Sequence, residues 1–362
     1  IDGSGSLSVT ANYNDGIASK DGLIINGNPT LTINAVDDGL RGKDYLVIGG
    51  GTINITAGGD GLKSDNENDD ALAYITIDGG DIVIDAGDDG LQAERDFTLN
   101  DGSLTLTAIG DGIHAEYNLT VNGGLINIQN SYEGIEGGFI VINDGDIHLV
   151  SSDDGFNVSE PDDVATPTTQ QGGQGRGGGF GASDSPYYLH ITGGSIVVNA
   201  QGDGLDSNGS IEMTGGTVIV NGPTMSGNGA LDYNGTFNMT GGFLVAAGSA
   251  GMPQAPSETS TVYSVMLNFT ATMPAGTLIH IRNSTGQNVL TFAPVKDYQS
   301  VVLASSALVI GESYEVYIGG TSDGAQTDHV YRESPSTLGN LYTSFTISDI
   351  LTQIGTVRGM RR

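Results

Sequence analysis

Asp-Gly followed by a large apolar residue recurs through the first two-thirds of this chain at a nearly fixed period. It stands as Asp15-Gly16-Ile17, Asp38-Gly39-Leu40, Asp60-Gly61-Leu62, Asp89-Gly90-Leu91 and Asp111-Gly112-Ile113. The series continues with Glu133-Gly134-Ile135, Asp154-Gly155-Phe156 and Asp203-Gly204-Leu205, and closes on a degenerate Asn228-Gly229-Ala230. Successive glycines are 23, 22, 29, 22, 22, 21, 49 and 25 residues apart. A period in this range is the signature of a solenoid, in which each repeat buries its apolar face only by stacking on its neighbours. Stacking also places one acidic position above another, coil upon coil, and a column of carboxylates is where function is to be sought.

One coil shows how the period is filled. After Asp38-Gly39 comes a short strand, Leu40-Arg41-Gly42-Lys43, and a bend at Asp44. Tyr45-Leu46-Val47-Ile48 and Thr52-Ile53-Asn54-Ile55-Thr56 follow as second and third strands, separated by Gly49-Gly50-Gly51. Alternation of apolar and polar residues predicts half-buried strands, and the glycines supply the turns. With three strands per coil and no helical periodicity, the expected fold is all-β: a right-handed parallel β-helix, its hand set by the crossover preference. Nine coils at roughly 4.8 Å each give a rod on the order of 45 Å long. Hairpins closed by the Asn-Gly and Asp-Gly pairs would build a sandwich instead, but they do not explain the fixed register. The β-helix is expected over residues 1–255, with a Gly-rich insertion at 161–186 of loop composition that reads as a flap. From residue 256 to 362 the repeat is lost. Alternating segments at 263–270, 277–282, 300–303 and 313–318 predict an antiparallel β unit that caps the C-terminal end of the solenoid.

Composition narrows the function. The 362 residues include 58 Gly, and 43 acidic against 12 basic residues leave a net charge of -31. Such a charge argues against nucleic acid as a partner, since phosphates need Lys and Arg to displace their counterions. It suits a protein that binds cations. There is no Cys, which excludes disulfides and thiolate metal sites. No apolar run approaches the roughly 18 residues of a membrane span. Ile1 opens in mid-pattern, and the chain reads as a piece of a longer, processed precursor.

The residue after each Asp-Gly is expected to point inward, as is the small residue two positions later. The residues between and after these face outward and pair as Arg41/Lys43, Lys63/Asp65, Gln92/Glu94, His114/Glu116, Glu136/Gly138, Asn157/Ser159 and Asp206/Asn208. Like charges about 5 Å apart repel, and a column of them is tolerable when hard cations lie between. Oxygen donors without Cys and with few His select Ca²⁺ over zinc or copper. The candidate ligands are Asp38, Asp44, Asp60, Asp65, Asp89, Glu94, Asp111, Glu116 and Glu136. The acidic run at 65–70 is a second calcium candidate, although it lacks the Gly and terminal Glu of an EF-hand loop. Arg41 and Lys63, cations beside this column, are candidate ligand-binding residues together with His114 and Tyr117. They also admit a catalytic reading, in which Ca²⁺ neutralises a uronide carboxylate while Lys63 or Arg41 removes the adjacent carbon-bound proton. Charge balance against Asp65 or Glu94 is the plainer role for Lys63. Arg176, in the Gly-rich insertion, is a candidate contact for an anionic ligand. Tyr45, Tyr74 and Tyr117 lie near the column, where they can stack on sugar rings or serve as half-buried strand residues.

The chain resembles a family of secreted bacterial proteins, found especially in clostridia, named for a carbohydrate-binding β-helix domain. The likeness is carried by Gly16-Ile17-Ala18-Ser19-Lys20-Asp21-Gly22-Leu23, Asp38-Gly39-Leu40-Arg41-Gly42-Lys43-Asp44, Gly59-Asp60-Gly61-Leu62-Lys63-Ser64-Asp65 and Asp89-Gly90-Leu91-Gln92-Ala93-Glu94. Thr291-Phe292-Ala293-Pro294-Val295-Lys296 and Phe345-Thr346-Ile347-Ser348 add to it, and Glu133 departs from it where Asp is usual. The resemblance implies a pectate-lyase-like fold, bound Ca²⁺, and affinity for cellulose or an acidic polysaccharide such as polygalacturonate. The function expected is therefore calcium-dependent, non-catalytic binding of polysaccharide by a secreted or cell-surface protein. The alternatives are a calcium-dependent polysaccharide lyase and a structural protein that self-associates end to end.

Overall fold

A computed structural model describes residues 1–69, 71–161 and 185–355 of the chain. Asp70, Arg176 and nearly all of the Gly-rich insertion lie outside the described residues. The described chain is all-β, a parallel β-solenoid followed by antiparallel strands.

Most of the coils have three strands, as in Leu40–Gly42, Tyr45–Ile48 and Thr52–Ala57, while in two coils the first two strands run together as Ile113–Val121 and Ile135–Ile142. Coil follows coil in register at the residue after each Asp-Gly, with local shifts in the coils around residues 107–131. Leu40 pairs with Leu62, Leu62 with Leu91, Leu91 with Ile113, Ile113 with Ile135, Ile135 with Phe156 and Phe156 with Leu205. All of these side chains are fully buried. The other two faces contribute parallel columns, such as Leu46–Ile75–Phe97–Leu119 and Ile53–Ile82–Leu104–Ile126, so that one continuous core fills the rod. Burial of like against like along the axis is what fixes the register, because a slip of one residue would turn every apolar side chain to water.

The small residues two places further on are buried as expected. Ser64, Ala115 and Ser207 are all at 0% exposure, which lets the chain turn the first corner. Both long repeats, of 29 and 49 residues, spend their extra length at that same corner: between Ser64 and Tyr74, and between Val158 and Tyr188. The strands beyond rejoin the stack without a shift, Tyr74 opposite Tyr45 and Tyr188 opposite Phe139. At the second corner a glycine with left-handed backbone recurs, for example Gly124 at φ 83°.

The solenoid ends in a change of strand direction. Phe243–Gly248, the last solenoid strand of its sheet, pairs antiparallel with Tyr298–Ser305, which pairs in turn with Ser264–Met273. The C-terminal unit thus continues one sheet of the solenoid rather than merely covering it. A separate six-stranded antiparallel sheet completes the unit and shares a second apolar core with the outward face of the extended sheet. On another edge the segment around residues 257–262 stands in for a missing strand. Ser257 and Ser260 accept the N–H groups of Phe237 and Met239 through their hydroxyls. No helix of the described residues is long and apolar enough to cross a membrane.

Candidate functional site

The acidic column is, first of all, a set of coil-to-coil hydrogen bonds. The Asp60 N–H donates to Asp38 Oδ1 at 3.0 Å, Asp89 N–H to Asp60 Oδ1 at 3.0 Å, and Asp111 N–H to Asp89 Oδ1 at 2.7 Å. Glu133 N–H donates to Asp111 Oδ1 at 3.0 Å, and Asp203 N–H to Asp154 Oδ1 at 2.5 Å. Gly229 N–H closes the series on Asp203 Oδ1. Each aspartate therefore spends one oxygen on the coil above, while its second oxygen and its charge need another partner.

The side chain three residues after each aspartate decides what that partner is. These side chains form their own column, Arg41–Lys63–Gln92–His114–Glu136–Asn157–Asp206–Asp232. They are half-buried along the acidic edge rather than freely exposed. In the lower coils the column is cationic. Arg41 lies 2.6 Å from Asp65 and 3.6 Å from Asp15. Lys63 Nζ sits between two coils, 2.5 Å from Asp60 Oδ2 and 3.8 Å from Asp38 Oδ2. His114 lies 3.9 Å from Asp89 and 3.5 Å from Glu116. Burial by itself would lower the His114 pKa, but Asp89, Glu136 and Glu116 outweigh it and push it up to about 9. Burial likewise opposes the charge of Lys63, and the contact with Asp60 more than restores it, so its pKa is raised. Lys63 is thus held as an ammonium ion in the metal-free protein.

Higher up the same column turns acidic. Asp111, Glu133 and Glu136 converge, as do Asp154, Asp203 and Asp206, each set with its donor atoms within 4.8 Å of one another. Burial, then the fields of Asp154, Asp203 and Asp232, pushes Asp206 up to about 8. Asp203 rises to about 7 and Asp154 to about 6, again through burial first and neighbouring carboxylates after it, offset in part by the N–H groups they accept. Asp111 and Glu133 are raised for the same reasons, and Asn157 Nδ2 donates to Glu133 at 2.7 Å. Two further sets lie lower, Asp15–Asp37–Asp38 and Asp60–Asp88–Asp89, and a mixed one joins Asp89 and Asp111 to His114. In the coil of Asp89 the cation is replaced by Gln92, whose Oε1 is buried with no hydrogen-bond partner among the described residues.

These sets are spaced to hold a metal ion, and their donors suit Ca²⁺. Four of the five sets offer carboxylates alone, hard oxygen ligands, the fifth adds His114, and Gln92 brings an orphaned amide oxygen. Of the candidates read from the sequence, Asp38, Asp60, Asp89, Asp111, Glu136 and His114 fall within the five sets. Asp44, Asp65, Glu94 and Glu116 do not, because they lie beyond the buried corner residue and turn to other work. Asp65 pairs with Arg41, Asp44 accepts from Asn66 Nδ2 at 2.6 Å, and Glu116 faces His114. Sequence reasoning missed Asp15, Asp37, Asp88, Glu133, Asp154, Asp203 and Asp206. The Asp-Gly repeat itself pointed to most of them, and Asp206 stood at the outward position.

The tyrosines are partly engaged within the protein. Tyr45 and Tyr74 stack at 5.5 Å, and the Arg95 guanidinium lies 4.3 Å over the Tyr117 ring. At the lower end of the edge a hollow of about 660 Å³ is lined by Lys20, Arg41, Lys43 and Asp15, bringing three cations to the foot of the acidic column.

The fold and the edge together define a class: parallel β-solenoids that carry stacked carboxylates along one corner. Residues 1–155 match the family model described as carbohydrate-binding domain-containing protein. The matched stretch runs from the first coil to Asp154, and it bears out the resemblance drawn from the Asp-Gly motifs. Neither the curated proteins nor the solved structures contain a match to the chain.

Proposed function

We propose that the acidic edge takes up Ca²⁺ and, with the basic hollow below it, retains an acidic polysaccharide outside the cell without cleaving it. The observation that carries this reading is the Lys63 ammonium between Asp38 and Asp60. It marks where a cation stabilises two stacked acidic coils, and in the coils of Asp111–Glu133 and Asp154–Asp203 carboxylates stand in that place instead. Those coils are stabilised by a cation from solution. The residues that would hold it are Asp111, Glu133 and Glu136 in one set, and Asp154, Asp203 and Asp206 in the other. Gln92 Oε1 offers a neutral ligand beside Asp60, Asp88 and Asp89. Bound Ca²⁺ supplies positive charge to which a uronate carboxylate can add as a further ligand, while Lys20, Arg41 and Lys43 attract the same carboxylates directly.

A non-catalytic role is supported by the state of Lys63. A proton-abstracting base must give up its own proton first, and the contact with Asp60 stabilises the charged form. The test is retention on polygalacturonate and on cellulose, with Ca²⁺ and with chelator, while ultraviolet absorbance follows any unsaturated product. Calcium-dependent retention with flat absorbance is the expected result. Retention indifferent to chelator would refute the calcium role, and a steady, chelator-sensitive rise in absorbance would make the protein a lyase.

A further inference from the structure

The C-terminal unit leaves one long strand border open. Its separate sheet runs in order through Gln326–Thr327, Val330–Tyr331, Asn288–Phe292, Ile279–Asn283 and Ser313–Thr321 to Thr337–Thr346. One border of the sheet is therefore a strand of two residues, too short to recruit another chain. The opposite border, Thr337–Thr346, is ten residues long. It pairs on one side with Ser313–Thr321 and has no strand on its other side among the described residues.

A border of this length carries a row of unpaired N–H and C=O groups, and soluble proteins guard it with charge, proline, a bulge or a covering segment. Here most of those guards are missing. No charged residue stands between Glu333 and Asp349, and no proline lies within the strand. Seven of its ten residues are exposed, so no described segment of the chain covers it. One bulge, at Tyr342, packs that ring 5.1 Å from Phe269 and leaves Thr337–Leu341 as a regular run. Apolar side chains also collect on this border. Leu338, Leu341 and Tyr342 stand on the strand, while Val309 and Ile310 belong to the turn whose Gly311 N–H donates to the Ile347 carbonyl at the strand's end. These are five of the six exposed large apolar side chains described beyond residue 256, which makes them a patch rather than a scatter.

The chemistry of the border calls for an uncharged strand with apolar side chains, and a second copy of this chain supplies one. Two copies of Thr337–Thr346 related by a two-fold axis run antiparallel and offer each other the same backbone groups and the same side chains. Charge points the same way. Each copy carries a net charge of -31, so copies meet at least cost where the contact itself is free of charge. We propose that the protein forms a two-fold dimer by antiparallel pairing of Thr337–Thr346, which joins two six-stranded sheets into one. At about 34 Å long and about 10 Å deep, the border covers roughly 340 Å² per copy. A standard interface covers about 800 Å² per partner, so the dimer is weak and reversible. It uses no residue of the acidic edge, and it presents two such edges to one polymer.

Sedimentation equilibrium of the full chain in chelator, where calcium cannot bridge two acidic edges, reads the association directly. In about 0.15 M salt, which screens the net charge, the protein is taken from about 10 μM to about 1 mM. The average mass is expected to climb from 37.1 kDa toward twice that value. Leu341→Lys places a charge on the border at a position 54% exposed, and it should weaken association about tenfold with an unchanged thermal melt. Because the chain has no Cys, one introduced cysteine can carry a spin label. A label on Asn340→Cys should find a dipolar partner across the axis, and one on Thr32→Cys, exposed on the solenoid, should find none. A mass that stays at 37.1 kDa up to about 1 mM overturns the proposal and leaves the border to a strand of another protein. Association that Leu341→Lys does not weaken, or that gives no dipolar signal at Asn340→Cys, overturns it by placing the contact elsewhere. Neither readout uses calcium or polysaccharide, so its failure is separable from failure of calcium-dependent retention.

Discussion

Replacing Gly112 by alanine should destabilise the solenoid, whereas glycine-to-alanine changes at unstrained sites usually stabilise by about 0.4–1 kcal/mol through the unfolded chain. A Cβ on Gly112 would lie 2.6 Å from the Gly134 carbonyl oxygen of the next coil and 2.6 Å from Ile128 Cδ1. Ordinary contact begins at 3.4 Å, so the carbonyl must retreat by nearly an ångström. That same oxygen accepts the Ile113 N–H at 3.1 Å, and a retreat of this size breaks the bond. Loss of one backbone hydrogen bond costs about 1 kcal/mol and overpacking about 1–3 kcal/mol. Set against the unfolded-state gain, the net expectation is a loss of about 2 kcal/mol. The geometry repeats at Gly39 and Gly61, each of which would meet the next glycine's carbonyl at 2.5 Å, so the requirement is a property of the column. Gly227, exposed and with nothing within 4 Å of its Cβ position, is the control, where the change should stay within about 0.5 kcal/mol. Urea unfolding followed by circular dichroism, in chelator and again in calcium, measures both variants against the parent. If Gly112→Ala proves as stable as Gly227→Ala, the close stacking of glycine on carbonyl is not what holds the corner together.

In chelator the protein should lose stability as the pH rises from about 4 to about 8. Asp154, Asp203 and Asp206 have folded pKa values near 6, 7 and 8, above the ordinary 3.8, so the folded state holds the extra protons. Their contribution is complete below pH 3.8 and lost as the pH passes each folded value; thermal melts should show calcium reversing the loss at pH 8 and doing little at pH 5. Lys63→Gln removes the internal cation from between Asp38 and Asp60. It should cost about 3 kcal/mol in chelator and add one calcium site by calorimetry, and an unchanged stoichiometry would contradict the alternation of built-in and bound cations. Leu91→Ala, at a fully buried rung of the core, should lose about 2–5 kcal/mol, against about 0.5 kcal/mol or less for Ile24→Ala at 47% exposure.

The coil was legible because its signals are local. Asp-Gly-apolar, the small corner residue and the alternating strands each report their own position, and register then follows by stacking. The candidate site was only half legible because its members come from different coils. Asp154 and Asp203 touch across 49 residues, and the long repeat between them hid that they are neighbours. Asp65, Glu94 and Glu116 read as ladder rungs from spacing alone, yet they sit past the buried corner, where they pair with Arg41 or His114 or lie outside the acidic sets. Which oxygen of an aspartate is taken by a backbone N–H, and which is left for a cation, is a matter of side-chain direction that no spacing encodes.

The reversal of strand direction at Phe243–Gly248 closes the rod at that end, since the antiparallel strand Tyr298–Ser305 occupies the edge on which a further coil would pair. The lowest coils, up to the strand Ser103–Ala108, pair only with neighbouring coils, so copying one of them in register lengthens the rod by about 4.8 Å and leaves the junction intact. Every such copy also adds one more carboxylate to the edge. Under the proposed function the architecture would grow its grip on a long polymer by counting, through more points of attachment of unchanged individual strength, and tandem duplication is a ready route to tighter retention.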